Sequence, residues 1–385
     1  MKITEVQIFD VKLAPRVSTW NPVIVRIQTD EGIDGLGEVA LAYGTGSAAG
    51  AGMVRNLAEQ FLLSADPFRI EHLWDRMYRH TFWAQGGGPV VFGGMSAIDE
   101  ALWDIKGKAL DVPVYELLGG RCWDELRVYA NGWYHGCVTP EQYAEAAQRV
   151  VADGYTALKF DPFAYSSEGK WDYPRRALDP QRADLAYERV RAVREAVGPT
   201  VDILVEVHGN LGTTSAIQMG KRLEAFKPFF YEEPVDALNV ACMKKVAENV
   251  DIPIAAGERL YTRYGFRQYI EEQVIDILQP DVGLTGGITE TKKIAAYAET
   301  YNLHVQPHNC AGPVATAAAV QLDACMTNFI IQEWFPYHER PHYQLVEEAL
   351  EHQVVDGHYP VPDTPGLGVT LNEAAIGQYP CLRIR

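Results

Sequence analysis

Three features that would define a protein class are missing from this sequence of 385 residues. No run of about 20 apolar residues occurs, so no membrane-spanning helix is predicted. Lysine and arginine number only 34 against 51 aspartates and glutamates, and the formal net charge of −17 argues against a nucleic acid as partner. An acidic small substrate is still allowed, because a bound divalent cation can reverse the local field.

Cysteine is scarce and lacks a binding pattern. The six cysteines are scattered and form no Cys-x-x-Cys motif, so we interpret them as reduced, mostly buried thiols of a cytoplasmic protein. The first residues, MKITEVQIFDVKL, alternate like a strand and lack the apolar region of a signal peptide. Gly283–Thr289 is glycine-rich but has no P-loop lysine, which argues against a nucleotide site.

The chain is long enough for two or three domains, and its 47% hydrophobic and 22% charged residues are typical of a soluble globular protein. Residues 1–126 mix strand and helix patterns and predict an α+β domain. The expected elements are strands at Lys2–Leu13 and Val23–Thr29, a turn at Asp30–Glu38, a flexible loop at Gly86–Pro89, and a helix at Ser96–Leu110 capped by its serine.

From about Arg127 the pattern changes, and short apolar runs alternate with longer helical segments. The runs are LRVYAN, TALKFD, DILVEV, FFYEEP, IPIAAGE, IDILQPD, LHVQPH and FIIQEW. The predicted helices include Pro140–Asp153, Ala183–Val197, Ala216–Phe226, Thr291–Tyr301 and Ala315–Met326. Eight runs with helices between them predict an α/β fold, a parallel (β/α) barrel over residues 127–355. Residues 356–385 are rich in proline and glycine at first, and we expect them to return across the surface.

Several runs end in a carboxylate at a spacing of one strand, loop and helix. Glu232 follows Glu206 by 26 residues, and Glu258 follows Glu232 by 26 more. Strand ends at this spacing converge on the mouth of a barrel, where three close carboxylates repel one another unless they are protonated or paired, most simply with a divalent cation. Mg²⁺ suits such oxygen ligands. The alternative for each carboxylate is a helix N-cap or a surface ion pair.

The same spacing of one strand, loop and helix continues to Asp281, His308 and Glu333. A carboxylate beside an imidazole fixes its tautomer, so His308 with Asp281 is a candidate general base, or else a structural histidine. His208 follows Glu206 by two residues and therefore points to the same face.

Lys159 and Asp161 share this two-residue spacing on the second strand. We assign Lys159 to catalysis and Asp161 to substrate binding; the alternative is a salt bridge between them at the barrel mouth. Arg259 either balances the charge of Glu258 or contacts the substrate.

The sequence resembles the enolase superfamily, mandelate racemase subgroup, over essentially its whole length. The segments that carry the resemblance are MKITEVQIF, SAIDEALWDIKGKALDVPVYELLGG, YEEPV, AAGERL, ILQPDVGLTGGITETKKIA, QPHNCAGP and PGLGV. Within that group, VYANGWY and GYTALKFDPF look most like the dehydratases of gluconate, galactonate or arabinonate.

This resemblance implies an N-terminal capping domain (1–126), closed by the C-terminal segment, over a modified (β/α)₇β barrel. It also implies roles for single residues. These are Mg²⁺ on Glu206, Glu232 and Glu258, a His308–Asp281 dyad, His208 as a second acid or base, Glu333 near the substrate, and loops near 15–25 and 80–90 that would bring Trp20 and Trp83 to the substrate. We also expect a homo-oligomer, between a dimer and an octamer.

Two departures from the family pattern bear on the reaction. Glu206 replaces the usual aspartate, and Asp161 stands where racemases of this group carry a second lysine. The sequence therefore predicts a Mg²⁺-dependent dehydratase that converts a sugar acid to a 2-keto-3-deoxy acid through an enediolate. An epimerase or cycloisomerase, or a protein that binds a sugar acid without catalysis, is the alternative.

Overall fold

The computed structural model describes residues 1–12, 20–337 and 341–385. Residues 13 and 15–19, which belong to a predicted strand and a predicted specificity loop, lie outside the described residues, whereas Trp20 lies within them. In the described residues, no helix has the length and apolar character needed to span a membrane.

The N-terminal part contains a four-stranded antiparallel sheet. Its strands are β1 (Ile3–Asp10), β2 (Val23–Thr29), β3 (Asp34–Val39) and β13 (Cys381–Ile384), in the order β13-β1-β2-β3. Apolar residues of β1 and β2 pack against helices α1 (Ser47–Leu57), α2 (Ile70–His80) and α3 (Pro89–Leu110). We call this sheet together with α1, α2 and α3 the cap.

The predicted turn over Asp30–Glu38 is wrong in its second half, because β3 occupies Asp34–Val39. The glycines responsible for that prediction serve packing instead. A Cβ on Gly35 would lie 2.0 Å from the carbonyl oxygen of Ala101, and one on Gly37 would lie 1.8 Å from that of Ala97. Only glycine lets α3 lie this close to the strand.

The start of α3 also differs from the prediction. The helix begins at Pro89, seven residues before Ser96, so Ser96 is buried within the helix and does not cap it. Proline at the first helical position is favourable, since its missing N–H would have no partner there. The predicted loop Gly86–Pro89 therefore ends where the helix begins.

The rest of the chain forms the predicted barrel. Its eight strands are β4 (Glu125–Ala130), β5 (Ala157–Phe160), β6 (Asp202–Glu206), β7 (Phe230–Glu232), β8 (Ile254–Ala256), β9 (Ile277–Leu278), β10 (His304–Val305) and β11 (Gln332–Trp334). They are parallel neighbours in chain order, and β11 pairs with β4. A parallel bridge between Val305 and Phe329 joins β10 to the segment before β11 and closes the ring.

The short helix α4 (Val114–Leu117) lies between the cap and the first barrel strand. A helix follows each of the first seven barrel strands. These helices are α5 (Pro140–Ala152), α6 (Pro180–Val197), α7 (Thr213–Leu223), α8 (Val240–Ala247), α9 (Thr262–Glu271), α10 (Gly287–Glu299) and α11 (Pro313–Asp323). In the described residues, β11 is followed by 3₁₀ turns at Pro341–Leu345 and Leu350–His352. The fold is therefore the (β/α)₇β barrel that was predicted, and each of the eight apolar runs overlaps one of its strands.

Inward-facing side chains fill the barrel below its mouth. Residues from seven strands or the segments beside them form this inner layer: Tyr129, Ala157, Leu204, Phe230, Ala255, Ile277 and Ile331. Because the interior is packed, the polar residues that follow the strands collect at the carboxyl-terminal rim.

The C-terminal segment contacts both parts of the molecule. Strand β12 (His358–Pro360) pairs antiparallel with β4, and β13 pairs with β1 of the cap. Leu367 donates its backbone N–H to Asp104 of α3 at 2.8 Å. The division at residues 126 and 355 stays our proposal for the domain boundaries.

Candidate active site

Neighbouring strands bring Lys159, Glu206 and Glu232 together at the barrel mouth. Glu206 and Glu232 are register partners at the ends of β6 and β7. The Nζ atom of Lys159, on β5, lies 2.9 Å from both carboxylate oxygens of Glu232 and 3.4 Å from Oε2 of Glu206. All three side chains are almost completely buried. The lysine therefore neutralises part of a buried negative cluster.

The protonation of this cluster follows from burial and charge. Burial alone would raise the pKa of Glu206, but His208 and Lys159 hold that pKa well below its usual range. Burial and the neighbouring Glu206 charge raise the pKa of Glu232 well above its usual range. Burial opposes the charge of Lys159, yet Glu232 and Glu333 raise its pKa far above normal. The cluster thus lacks positive charge even with the lysine present.

Glu333, at the end region of β11, extends the same cluster. Its Oε1 lies 2.9 Å from Nζ of Lys159 and accepts a hydrogen bond of 2.8 Å from the Asn131 amide. Its Oε2 accepts the backbone N–H of Asn309 at 2.9 Å. With both oxygens held, Glu333 is a fixed negative charge at the floor of the site.

Asp281 and His308 form the predicted pair. Nδ1 of His308 lies 2.7 Å from Oδ2 of Asp281, which fixes the ring orientation. Nε2 lies 3.0 Å from Oε2 of Glu258 and 3.8 Å from Oε2 of Glu333. Burial opposes protonation, but the charges of Glu258 and Glu333 raise the pKa of His308 well above its usual value.

A second pair of the same kind joins Asp161 and His208. Nδ1 of His208 lies 2.7 Å from Oδ2 of Asp161, and the hydroxyl oxygen of Tyr173 lies 3.4 Å from the same nitrogen. His208 has a left-handed backbone with φ of 54°, and its N–H donates to Oε1 of Glu206 at 2.6 Å. Burial opposes protonation, but Glu206 and Asp161 raise the pKa of His208 to about 9.

These two histidines lie on opposite sides of the mouth. His208 follows β6 and His308 follows β10, which are four strands apart in a ring of eight. A cavity of about 520 Å³ lies between them, and both imidazoles line it. A small molecule in this cavity can therefore be approached by two acid–base groups from two directions.

Most of the predicted site residues line this cavity or contact a residue that does. Lys159, His208, His308, Glu258, Arg259, Glu333 and Trp20 line it. Glu206 and Glu232 contact Lys159, Asp161 contacts His208, and Asp281 contacts His308.

Two predicted substrate contacts need comment. Arg259 is paired with Glu233 and with Oε1 of Glu258 at 2.6 Å, so it balances charge as well as lining the cavity. Trp83 lies apart, since its side chain is 74% exposed and packs edge-on against Phe82. Its contact with the substrate stays a prediction.

Several residues that line the cavity were not singled out from the sequence. Asn131 directly follows the first barrel strand, at the end where site residues of the other strands lie, so the spacing of strands and helices contained a signal for it. Tyr43, Trp171 and Tyr173 lie in segments between elements, where no periodic pattern marks them.

The residues fit a divalent cation by their chemistry. Glu206, Glu232 and Glu258 offer only oxygen atoms, which Mg²⁺ prefers, and the buried cluster requires more positive charge. In the described residues, no three acidic, histidine or cysteine side chains are arranged to hold a metal ion as they stand. Lys159 and His308 instead contact the carboxylates that would turn toward a metal.

Known proteins resemble this chain along its length. Residues 4–119 match the family described as mandelate racemase / muconate lactonizing enzyme, N-terminal domain, and residues 142–375 match enolase C-terminal domain-like. D-galactonate dehydratase of Variovorax paradoxus (strain S110) is 38% identical over 384 residues, covering 98% of this chain and 94% of that protein. D-gluconate dehydratase of Thermoproteus tenax is 37% identical over 358 residues, covering 93% and 69%. The crystal structure of a member of the enolase superfamily from Salmonella Typhimurium superposes with a TM-score of 0.95 at 43% identity, covering 100% of both chains.

Proposed function

Because this chain belongs to the mandelate racemase / muconate lactonizing enzyme family of the enolase superfamily, we propose that it is a sugar-acid dehydratase, a hydro-lyase. The observation that carries the proposal is the pair of Asp–His units on opposite sides of one cavity. Dehydration needs two such groups, since one proton is removed and another is delivered to the leaving hydroxyl. The names of the relatives favour an aldonate such as galactonate or gluconate as substrate.

His308 acts as the general base in this proposal. The bond between its Nδ1 and Asp281 leaves Nε2 directed at the acidic residues of the cavity floor. There it removes the proton α to the substrate carboxylate and leaves an enediolate. Without a metal, Glu258 and Glu333 raise the pKa of His308 and favour its protonated form. A cation on Glu258 would offset that charge and favour the neutral imidazole that a base requires.

His208 acts as the general acid. Asp161 and Glu206 keep it protonated at neutral pH, so it carries the proton that the departing hydroxyl needs. As the bond from the β-carbon to oxygen breaks, that proton leaves with the hydroxyl as water. The resulting enol then becomes the 2-keto-3-deoxy acid.

The cofactor in this proposal is Mg²⁺ on Glu206, Glu232 and Glu258. When bound, it supplies Lewis-acid stabilisation to the negative charge that develops on the substrate carboxylate, worth several kcal/mol. Lys159 holds Glu232 and Glu333 in place and contributes positive charge near that carboxylate.

The experiment that tests the function is a screen of mono- and diacid sugars, including D-galactonate and D-gluconate, with Mg²⁺. We expect one or more to yield a 2-keto-3-deoxy acid, detected by a colour assay and by proton NMR. Exchange of the α-proton without loss of water would instead support an epimerase. A folded protein that neither exchanges nor dehydrates any of these acids would contradict an enzymatic role.

The metal assignment has its own test. Titration calorimetry should detect Mg²⁺ binding to the wild-type protein and much weaker binding to Glu232→Gln, with turnover falling in parallel. If Glu232→Gln keeps normal turnover at ordinary Mg²⁺ concentration, the assignment is wrong. Sedimentation velocity on the same samples measures the expected homo-oligomer.

A further inference from the structure

The cap reaches the barrel loop that follows His308. Glu38, next to the last residue of β3, is completely buried, and its two oxygens accept backbone N–H groups of Gly312 at 2.7 Å and Ala315 at 3.2 Å. Gly312 is the N-cap of α11 and Ala315 is its third residue. Gly312 has no side chain that could accept the free N–H groups at the start of α11. The carboxylate of Glu38, which belongs to the N-terminal cap, accepts them instead.

The loop that follows Asp281 is held in the same way. Gly286, the N-cap of α10, donates its N–H to the hydroxyl of Ser96 at 3.0 Å, and Thr289, the third residue of α10, donates to Oδ2 of Asp99 at 2.9 Å. Ser96 and Asp99 both belong to α3. In each helix, side chains of the cap therefore accept the N–H groups of the N-cap and of the third residue, which have no backbone partner within the helix.

Close packing fixes these contacts in space. A Cβ on Gly312 would lie 2.5 Å from Oε1 of Glu38, and one on Gly287 would lie 2.4 Å from Oδ2 of Asp99. A Cβ on Gly283 would lie 2.5 Å from the Cβ of Ala40, next to β3. The barrel loops approach the cap as closely as glycine allows, and neither side can shift without losing hydrogen bonds.

The two helices whose N-termini contact the cap, α10 and α11, directly follow the residues of the Asp281–His308 pair. Asp281 lies five residues before Gly286, and His308 lies four residues before Gly312. We propose that Glu38 and Asp99 are positioning residues, which fix the N-termini of α10 and α11 and thereby the Asp281–His308 pair. This inference rests on the proposed function for the role of His308. A displacement of about 1 Å in such a pair can cost roughly 100-fold in rate.

Substitutions of Glu38 test this, with a matched control elsewhere in the cap. Asp104 of α3 is equally buried and also accepts two backbone N–H groups, but from Leu36 and Leu367. Asp104→Ala therefore removes two comparable backbone contacts, together with an ion pair to Lys108, without touching the loops after β9 and β10. Glu38→Gln retains the size of the side chain but offers one acceptor oxygen in place of the two that Gly312 and Ala315 use.

We expect Glu38→Ala to lower kcat for dehydration roughly 10- to 100-fold, with KM changed less than about threefold. Glu38→Gln should recover only part of this loss, because it keeps one of the two acceptor oxygens. Asp104→Ala should stay within about threefold of wild type even where its thermal midpoint falls as far. A loss of kcat in Glu38→Ala no larger than in Asp104→Ala would overturn the proposal. Should Glu38→Ala fail to fold, the same comparison is made between Glu38→Gln and Asp104→Asn.

A second measurement needs no substrate. The proton on Nδ1 of His308, held by Asp281, should give a far-downfield NMR resonance in the Mg²⁺-loaded protein, assigned by its disappearance in His308→Asn. We expect the resonance to shift or broaden in Glu38→Ala and Asp99→Ala and to persist unchanged in Asp104→Ala. A resonance that is unchanged in both Glu38→Ala and Asp99→Ala would overturn the positioning role. If no sugar acid is turned over, the proposed function fails while this resonance still decides the positioning role.

Discussion

The two Asp–His pairs are alike in their own geometry and different in what surrounds them. Each has the same 2.7 Å contact between an aspartate Oδ2 and a histidine Nδ1. The side chain of His308 is 14% exposed, whereas that of His208 is 30% exposed. His308 faces two further carboxylates, and the cap holds the loop after it. His208 itself has a left-handed backbone conformation, and the hydroxyl of Tyr173 lies beside its ring.

The comparison teaches that the neighbours, and not the pair, assign the role. A base is suited to the side where a cation on the neighbouring Glu258 would favour the neutral imidazole, and where the cap holds the loop after His308. An acid that must meet a leaving hydroxyl is suited to the more open wall, where His208 already carries its proton. The predictions below would separate or merge these two roles.

The largest effect is expected from His308→Asn, because dehydration and solvent exchange of the α-proton both begin with removal of that proton. Dehydration and solvent exchange of that proton should both fall by about 10²- to 10⁴-fold. Proton NMR of a sugar acid in D₂O with Mg²⁺ measures the two together. His304→Asn, at an exposed position of the same strand, is the control and should leave both unchanged. Exchange that survives in His308→Asn would move the base to Lys159 or His208.

His208→Asn should separate the reactions that His308→Asn removes together. Dehydration should fall by about 10²- to 10⁴-fold, while α-proton exchange continues, since the enediolate can still form and be reprotonated. Asparagine is suitable here because it tolerates the left-handed backbone of this position. Lack of exchange in a folded, Mg²⁺-loaded His208→Asn protein would mean that the two histidines do not have separate roles.

Substitution of the two aspartates should separate exchange from dehydration in the same way, with smaller losses of rate. Loss of a hydrogen bond to a charged group costs about 1.5 to 3 kcal/mol, which corresponds to roughly 10- to 150-fold in rate. Asp281→Asn should slow exchange and dehydration alike, and Asp161→Asn should slow dehydration alone. If exchange and dehydration slow to the same extent in both variants, the two pairs serve the same step.

Tyr173→Phe should have the smallest effect. A neutral hydrogen bond is worth about 0.5 to 1.5 kcal/mol, so we expect dehydration to slow by roughly 2- to 12-fold and exchange to be unaffected. Steady-state kinetics and the NMR assay measure these separately. A larger loss, shared by exchange, would give Tyr173 a role beyond its contact with His208.

The sequence predicted the barrel well because its signal is periodic. Each buried strand is a short apolar run, and the residues after it recur at one βα unit, so Glu206, Glu232, Asp281 and His308 could be placed at the rim before any coordinates. The pairing of Asp281 with His308 followed from neighbouring strands, and the contact between them agrees with it.

Contacts that depend on side-chain direction could not be predicted in this way. Asp161 was assigned to the substrate because the sequence gives no sign that His208 turns back toward β5 in a left-handed conformation. The sequence places Lys159 in catalysis or in a pair with Asp161, and it does not predict that the ammonium lies among Glu206, Glu232 and Glu333, which come from three other strands. Gly35 and Gly37 suggested a turn because packing against a distant helix leaves no local pattern.

The edge strand β13 has a consequence for how the chain folds during synthesis. It pairs Val6 with Ile384 and Phe9 with Cys381, so β1 gains its second partner only after the whole barrel has been translated. Until then the β1 edge of the sheet is open, and unpaired edges of this kind promote association between nascent chains. The growing polypeptide must keep one side of its first sheet soluble for nearly its entire time on the ribosome.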